Sequence, residues 1–124
     1  MVSAVSEVFP NTALFGLAGG RLLEIAEASG LSAVHEFFAD RNYLVDGSLV
    51  PRTSSIALIH DPEAVAQRTL NAVRLGEVTA AGGDIIQMSF QTVCVHGDSV
   101  DSVAMIEKIR NALLKSNIQL KAVR

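Results

Sequence analysis

The stretch Thr92–Asp98 reads TVCVHGD, and it decides the fold prediction because it joins an apolar run to a polar tail. The run Val93–Val95 is typical of a short strand that is buried on both faces. It ends in His96, Gly97 and Asp98, which a hydrophobic core does not need. In parallel βα folds, ligands bind at the carboxyl ends of the strands. The segment therefore predicts a strand that delivers His96 and Asp98 to a site.

The rest of the chain predicts the same architecture, because apolar runs alternate with amphipathic helical patterns. Further strands are predicted over Thr12–Leu17, Ala33–Phe38 and Ile56–Ile59. Helical patterns cover Val2–Phe9, Leu22–Ala26, Asp61–Gly76 and Ser99–Leu113, and Gly82-Gly83-Asp84 marks a turn between two short strand-like pieces. This alternation predicts an α/β fold of parallel βα units, with at least four parallel strands and the candidate residues at one end of the sheet.

Polar residues also follow the second and third predicted strands. Glu36 lies near the end of the second strand, with Asp40 and Arg41 directly after it. His60 and Asp61 follow the third strand. The carboxylates of Glu36 and Asp40 suit acid–base catalysis, and Arg41 can bind a substrate carboxylate bidentately. The alternative is an Asp40–Arg41 pair that holds the following loop.

That loop, residues 39–55, is long and irregular, and loops of this length are usually functional or disordered. Its apolar residues, Tyr43 and Leu44 among them, argue against disorder. Arg52 is a second candidate for binding an anion. The alternative for Arg52 is a solvated surface side chain.

His96 and Asp98 have two functional interpretations and one structural one. They can act as a base with its orienting carboxylate, or as two metal ligands. In the structural interpretation Asp98 caps a helix that begins at Ser99, and Gly97 relieves a tight turn.

The glycine turn at residues 16–21 resembles a phosphate-binding turn, but it fits no nucleotide fingerprint, and a tight βα turn is favoured.

Composition narrows the class of protein. The chain has 124 residues, of which 49% are hydrophobic, and this is enough for one domain with a core. A net charge of −3 argues against nucleic acid or an anionic membrane as the main partner. The apolar runs are too short to span a bilayer, and the start of the chain lacks the pattern of a signal peptide. With a single cysteine, the expected location is the cytoplasm.

Four ordered segments together resemble one known family. They are EFFADRNY (Glu36–Tyr43), DGSLVPR (Asp46–Arg52), ALIHDPEAVAQ (Ala57–Gln67) and TVCVHGD (Thr92–Asp98). Their order and spacing are similar to those of the LamB/YcsF family, the lactam utilisation proteins or 5-oxoprolinase A subunits. Four ordered motifs are far more specific than any one of them.

The resemblance implies a distorted (β/α) barrel of the glycoside hydrolase/deacetylase type. It implies a hydrolase that opens 5-oxo-L-proline to L-glutamate at the expense of ATP, together with subunits B and C. It also implies that six residues lie at the barrel mouth: Glu36, Asp40, Arg41, Arg52, His96 and Asp98. From their chemistry we interpret His96, Asp98, Glu36 and Asp40 as catalytic residues, and Arg41 and Arg52 as substrate-binding residues. On this interpretation His96 transfers protons, and the arginines bind the carboxylate of 5-oxoproline or a phosphorylated intermediate.

Residues 1–124 are interpreted as one domain that matches the C-terminal half of family members, because the motifs of their N-terminal half do not occur in this sequence. Catalysis is then expected to need a separate N-terminal half or a second copy of the chain. One alternative is a barrel fragment that acts as a non-catalytic binding or assembly module. Another is a metal-dependent, deacetylase-like hydrolase, for which only His96 and Asp98 resemble ligands. The sequence leaves the metal content open.

Overall fold

The computed structural model describes residues 1–122, and these form an α/β structure. The helices are α1 (Val2–Val8), α2 (Arg21–Ala28), α3 (Pro62–Leu75) and α4 (Ser102–Lys115). The strands are β1 (Ala13–Leu17), β2 (Ser32–Phe38), β3 (Glu77–Thr79), β4 (Ile85–Gln87) and β5 (Thr92–Cys94).

Three of these strands form one sheet in the order β1–β2–β5. β1 and β2 are parallel, with Ala13 opposite Ser32 and Leu17 opposite Glu36. β3 and β4 form a separate antiparallel hairpin, in which Val78 lies opposite Ile86. The predicted class, α/β with parallel βα units, is therefore confirmed. The expectation of four or more parallel strands is wrong for the described residues.

The missing strand is the predicted one at Ile56–Ile59, which is a loop with an isolated bridge between Arg41 and Leu58. This segment makes two backbone bonds to residues 40–42, from the Asn42 N–H to the Ala57 oxygen at 3.0 Å and from the Ile59 N–H to the Asp40 oxygen at 2.9 Å. Side chains supply further bonds, because Asn42 Nδ2 donates to the Ile56 oxygen at 2.7 Å and Arg41 Nε donates to the Ala57 oxygen at 3.3 Å. Side-chain bonds thus satisfy part of the backbone that a continuous ladder would otherwise pair.

The chain divides into two compact units, each described by itself. The first comprises Met1–Phe37 with Ser89–Thr92. Its core contains Val2, Ala26 and Leu31. Its glycine turn is a tight βα turn, because the Gly19 N–H donates to His35 Nδ1 at 3.3 Å and the Gly20 N–H donates to the Leu17 oxygen at 2.9 Å.

The second unit comprises Phe38–Met88 with the described residues from Val93 onward. α3 has the predicted boundaries, because the Asp61 carboxylate accepts from the Glu63 N–H at 3.0 Å and Gly76 ends the helix in the left-handed region at φ 69°. The predicted Gly82-Gly83 turn joins β3 to β4. α3 and α4 pack against each other.

The buried helix faces differ in part from those that the sequence predicts, which are Leu22, Ile25 and Ala26 in α2 and Val103, Ile106, Ile109 and Leu113 in α4. α2 buries Leu23 and leaves Leu22 and Ile25 partly exposed. α4 exposes Val103 and Ile106. Its buried residues are Ser102, Met105, Ile109 and Leu113, a face spaced by three and four residues. α4 also begins at Ser102 with Asp101 as its N-cap, so Asp98 is not the cap residue.

Candidate functional site

The tightest polar contact among the candidate residues joins Asp40 and His96 in the second unit. Asp40 follows β2 and His96 follows β5, and the bond from the Ala39 N–H to the Cys94 oxygen at 2.9 Å aligns the two strand ends. His96 Nδ1 lies 2.8 Å from Asp40 Oδ1. The His96 backbone N–H also donates to Asp40 Oδ2 at 3.1 Å. One buried carboxylate therefore holds both the backbone and the ring of His96.

This contact determines which ring nitrogen of His96 is available for chemistry. An ionised carboxylate can only accept hydrogen bonds, so Nδ1 carries the proton that points to Asp40. In the neutral ring Nε2 then keeps its lone pair. The Phe38 ring packs edge-on against the imidazole, with centroids 5.0 Å apart and an interplanar angle of 86°. The arrangement can accept a proton at Nε2 and return it.

The sequence pairs His96 with Asp98, whereas the structure places Asp40 on the imidazole and Asp98 on Arg52. Arg52 Nη1 donates to Asp98 Oδ2 at 3.2 Å, and the two side chains are 53% and 65% exposed. The hydrogen bond from Arg52 lowers the pKa of Asp98, and the charges of Arg52 and His96 act in the same direction. Asp98 is therefore an exposed, ionised carboxylate that holds a guanidinium.

Arg41 has a different environment from Arg52, because it is buried. Its Nη2 donates to the Val50 oxygen at 2.8 Å, and its Nε bonds the Ala57 oxygen. The loop is thus held by Arg41 through backbone carbonyls. Two residues beyond Val50, Arg52 extends into solvent.

Tyr43 is the buried anchor of the same loop. Its hydroxyl accepts the Phe38 N–H at 2.8 Å, and the Arg68 guanidinium lies 5.5 Å from the centre of its ring. Burial raises the pKa of Tyr43 to about 12. Arg68 Nη1 also donates to Asn42 Oδ1 at 2.9 Å. These contacts attach the loop to Phe38 and to α3.

The remaining candidates lie elsewhere. Glu36 belongs to the first unit, where it pairs with Leu17 in the β1–β2 register and its carbonyl accepts the Ala18 N–H at 3.0 Å. The second unit thus carries Asp40, Arg41, Arg52, His96 and Asp98 without Glu36. Sequence reasoning named Asp40 but did not connect it to His96. The signal was available in principle, because both residues directly follow predicted strands.

Other features of the described residues are separate from this group. A pocket of about 410 Å³ lies between α3 and the β3–β4 hairpin, and none of the six candidate residues lines it. Within residues 1–122, no three His, Cys, Asp or Glu side chains are arranged to hold a metal ion. No described helix has the length and apolar character needed to cross a membrane.

Known proteins resemble this chain in both sequence and structure. The profile of the LamB/YcsF family matches residues 1–124. The A subunit of a 5-oxoprolinase from Limosilactobacillus fermentum is 42% identical over 118 residues, which are 95% of this chain and 47% of that protein.

A solved structure gives the same picture. The crystal structure of a lactam utilization protein from Thermus thermophilus matches with a TM-score of 0.89 and 32% identity, covering 98% of this chain and 48% of that one. Its likeness agrees with the predicted partial barrel. The chain spans about half the length of these relatives.

Proposed function

We propose a function from the premise that this chain belongs to the LamB/YcsF family. Relatives named for 5-oxoprolinase and lactam utilization support a hydrolase-type role in lactam utilisation. The proposal is that this chain contributes catalytic groups to a 5-oxoprolinase that opens 5-oxo-L-proline to L-glutamate. The observation that carries it is the His96–Asp40 pair at the ends of neighbouring strands.

Ring opening needs one proton to move from water to nitrogen. The water oxygen bonds to the lactam carbonyl carbon, the carbon–nitrogen bond breaks, and the nitrogen gains a hydrogen. We assign this transfer to His96 Nε2, which takes a proton from the water and gives it to the departing nitrogen. Asp40 acts through His96 as a positioning residue, because its carboxylate sets the ring orientation and the position of the Nδ1 proton.

The arginines divide two tasks in this proposal. Arg52 is half exposed and binds the carboxylate of 5-oxoproline, for which a guanidinium is well shaped. Arg41 is committed to the Val50 and Ala57 carbonyls, so it holds the loop that carries Arg52. Glu36 and Asp98 remain candidates, and the role of Asp98 is developed below.

ATP and partner subunits belong to the proposal for the complete protein. ATP makes chemical sense because an unstrained lactam is a poor electrophile, and phosphorylating its oxygen supplies a leaving group. The glycine turn does not fit a phosphate, since the Gly19 and Gly20 N–H groups are used within the turn and by His35. We therefore derive no step of this chain through ATP.

The Limosilactobacillus relative is named as one subunit of a 5-oxoprolinase, which implies a protein of several subunits. The proposed partners are subunits B and C, together with a separate N-terminal half or a second copy of this chain.

The test is turnover of 5-oxoproline to glutamate by the protein reconstituted with its remaining half, partner subunits and ATP. His96→Ala is expected to lower the rate by about 10²–10⁴-fold, the usual contribution of a general acid–base group. Asp40→Asn should also lower it, because an amide can donate to Nδ1 and so favours the other tautomer. His60→Ala is the matched control, since His60 is exposed and outside the pair.

The proposal requires His96→Ala to be folded and inactive while His60→Ala stays active. Normal turnover in a folded His96→Ala variant would contradict it. That result would favour the non-catalytic binding or assembly module.

A further inference from the structure

The exposed Arg52–Asp98 pair differs from the other polar contacts of the site. Asp40 and Arg41 are buried and bound to several groups, whereas Arg52 and Asp98 are both more than half exposed. Within residues 1–122, Arg52 binds Asp98 through one hydrogen bond, from Nη1 at 3.2 Å. A guanidinium can instead form two parallel bonds to a carboxylate. A bidentate ligand would therefore satisfy Arg52 better than Asp98 does.

An exposed ion pair is also easily exchanged. Such pairs contribute little to stability, because water and salt screen them and two long side chains must be ordered. Asp98 can release Arg52 at small cost to the fold, provided that another carboxylate takes its place. A neutral molecule offers no such replacement.

We propose that Asp98 is a specificity-determining residue whose carboxylate occupies Arg52 until the carboxylate of a ligand displaces it. The inference rests on the proposed function, in which Arg52 binds the carboxylate of 5-oxoproline. It adds how that substrate is distinguished: a lactam that carries a carboxyl group displaces Asp98, and a neutral lactam does not. Asp98 then acts as a competitor for Arg52, distinct from the proton transfer assigned to His96.

Two further observations favour this role over proton transfer. The position beside the imidazole that an orienting carboxylate would take is already filled by Asp40. The pKa of Asp98 is lowered chiefly by the Arg52 hydrogen bond, so its carboxyl group stays ionised at neutral pH. An ionised group suits the holding of a cation and is a poor proton donor.

The first experiment needs no lactam and establishes the pair in solution. The pKa of Asp98 is followed by NMR titration of its carboxyl carbon in the wild-type chain and in Arg52→Gln. We expect Arg52→Gln to raise the pKa toward the ordinary range of an aspartate. An unchanged pKa in Arg52→Gln would overturn the proposal, whatever the chain binds.

The second experiment tests displacement with a simple probe. Sodium acetate is added to the wild-type chain, and sodium chloride at equal ionic strength is the control, because both salts screen the pair. At pH 7, where acetate is ionised, we expect acetate to shift the carboxyl-carbon resonance of Asp98 toward its position in Arg52→Gln, beyond the effect of chloride. Equal effects of the two salts would overturn the proposal.

The third experiment compares binding of 5-oxoproline and of its neutral parent lactam, 2-pyrrolidone, to the reconstituted protein. Asp98→Asn should tighten 5-oxoproline about two- to fivefold, the range set by the strength of an exposed pair, and leave 2-pyrrolidone unchanged. When Arg52 is already replaced by Gln, Asp98→Asn should leave the affinity for 5-oxoproline unchanged. Asp84→Asn, which removes an equal charge at the exposed hairpin turn, is the control.

The outcomes separate this proposal from the proposed function. Weaker or unchanged 5-oxoproline binding by Asp98→Asn, or equal tightening by Asp84→Asn, would overturn the role of Asp98. If acetate displaces Asp98 but no variant binds 5-oxoproline, the role of Asp98 stands as an anion competitor. In that case the assignment of 5-oxoproline as the substrate fails.

Discussion

At the scale of residues, Asp40 and Arg41 are adjacent in the chain and both are buried, yet they bind different partners. Asp40 accepts from the backbone and ring of His96. Arg41 donates to carbonyls of the following loop. Buried charges are tolerated only when they are hydrogen-bonded, and here each charge fastens a different segment. Asp40 thus holds the segment that follows β5, and Arg41 holds the loop of residues 39–55.

Tyr43 provides a prediction about alkaline pH. Its pKa is about 12 in the folded chain and about 10 in the unfolded chain, so the unfolded chain loses the phenolic proton first. The neutral Tyr43 side chain therefore stabilises the folded chain fully below pH 10. This contribution to the free energy of unfolding, on the order of 2–3 kcal/mol, is lost as the pH rises toward 12. Denaturant unfolding at several pH values should show this decline.

The same residue supplies its own readout, because Tyr43 is the single tyrosine of the chain. Its ultraviolet phenolate absorbance should rise near pH 12 in the folded chain and near pH 10 in denaturant. Tyr43→Phe is the control, and its stability should lack this part of the alkaline decline. Ionisation of the folded chain near pH 10 would contradict the buried position.

At the scale of elements, the two long helices begin with an aspartate that is used differently. Asp61 of α3 accepts a hydrogen bond from the Glu63 N–H, whereas Asp101 of α4 makes no side-chain capping bond. Asp61→Ala should therefore lower the free energy of unfolding by about 1 kcal/mol, and Asp101→Ala should lower it by less. Urea unfolding of both variants measures the difference. Equal losses would show that the capping bond of Asp61 contributes nothing.

At the scale of the whole molecule, the order β1–β2–β5 places β1 at one edge of the sheet. Phe15 on this edge strand is 47% exposed. Unpaired, apolar edges promote association between chains. We expect the isolated chain to self-associate through β1, or to bind the remaining half of the complete protein if that half is supplied.

Sedimentation velocity over a range of concentrations tests this expectation. Phe15→Lys should reduce self-association, because a charged side chain on an edge strand opposes pairing. Val100→Lys is the control, since Val100 is 98% exposed and lies outside the strands. A wild-type chain that stays monomeric at every concentration would contradict the expectation.

Features formed by residues close together in the chain were predictable from the sequence. Asp61, Pro62 and Gly76 set the limits of α3, and Gly82-Gly83 predicted the turn of the hairpin. Such signals are readable because a cap or a turn is formed by hydrogen bonds and backbone angles within a few residues. The apolar runs with polar tails likewise located β2 and β5 and the candidate residues that follow them.

Which of these residues contact one another depends instead on the tertiary structure. Asp40 and His96 are 56 positions apart, and they are brought together because β2 and β5 are neighbours in the sheet. Asp98 is nearer to His96 in the sequence, but its side chain bonds Arg52 instead. Local patterns do not encode the order of strands, which depends on how the whole chain buries its apolar surface. The carboxylate that orients His96 is therefore that of Asp40, because β2 and β5 are neighbours.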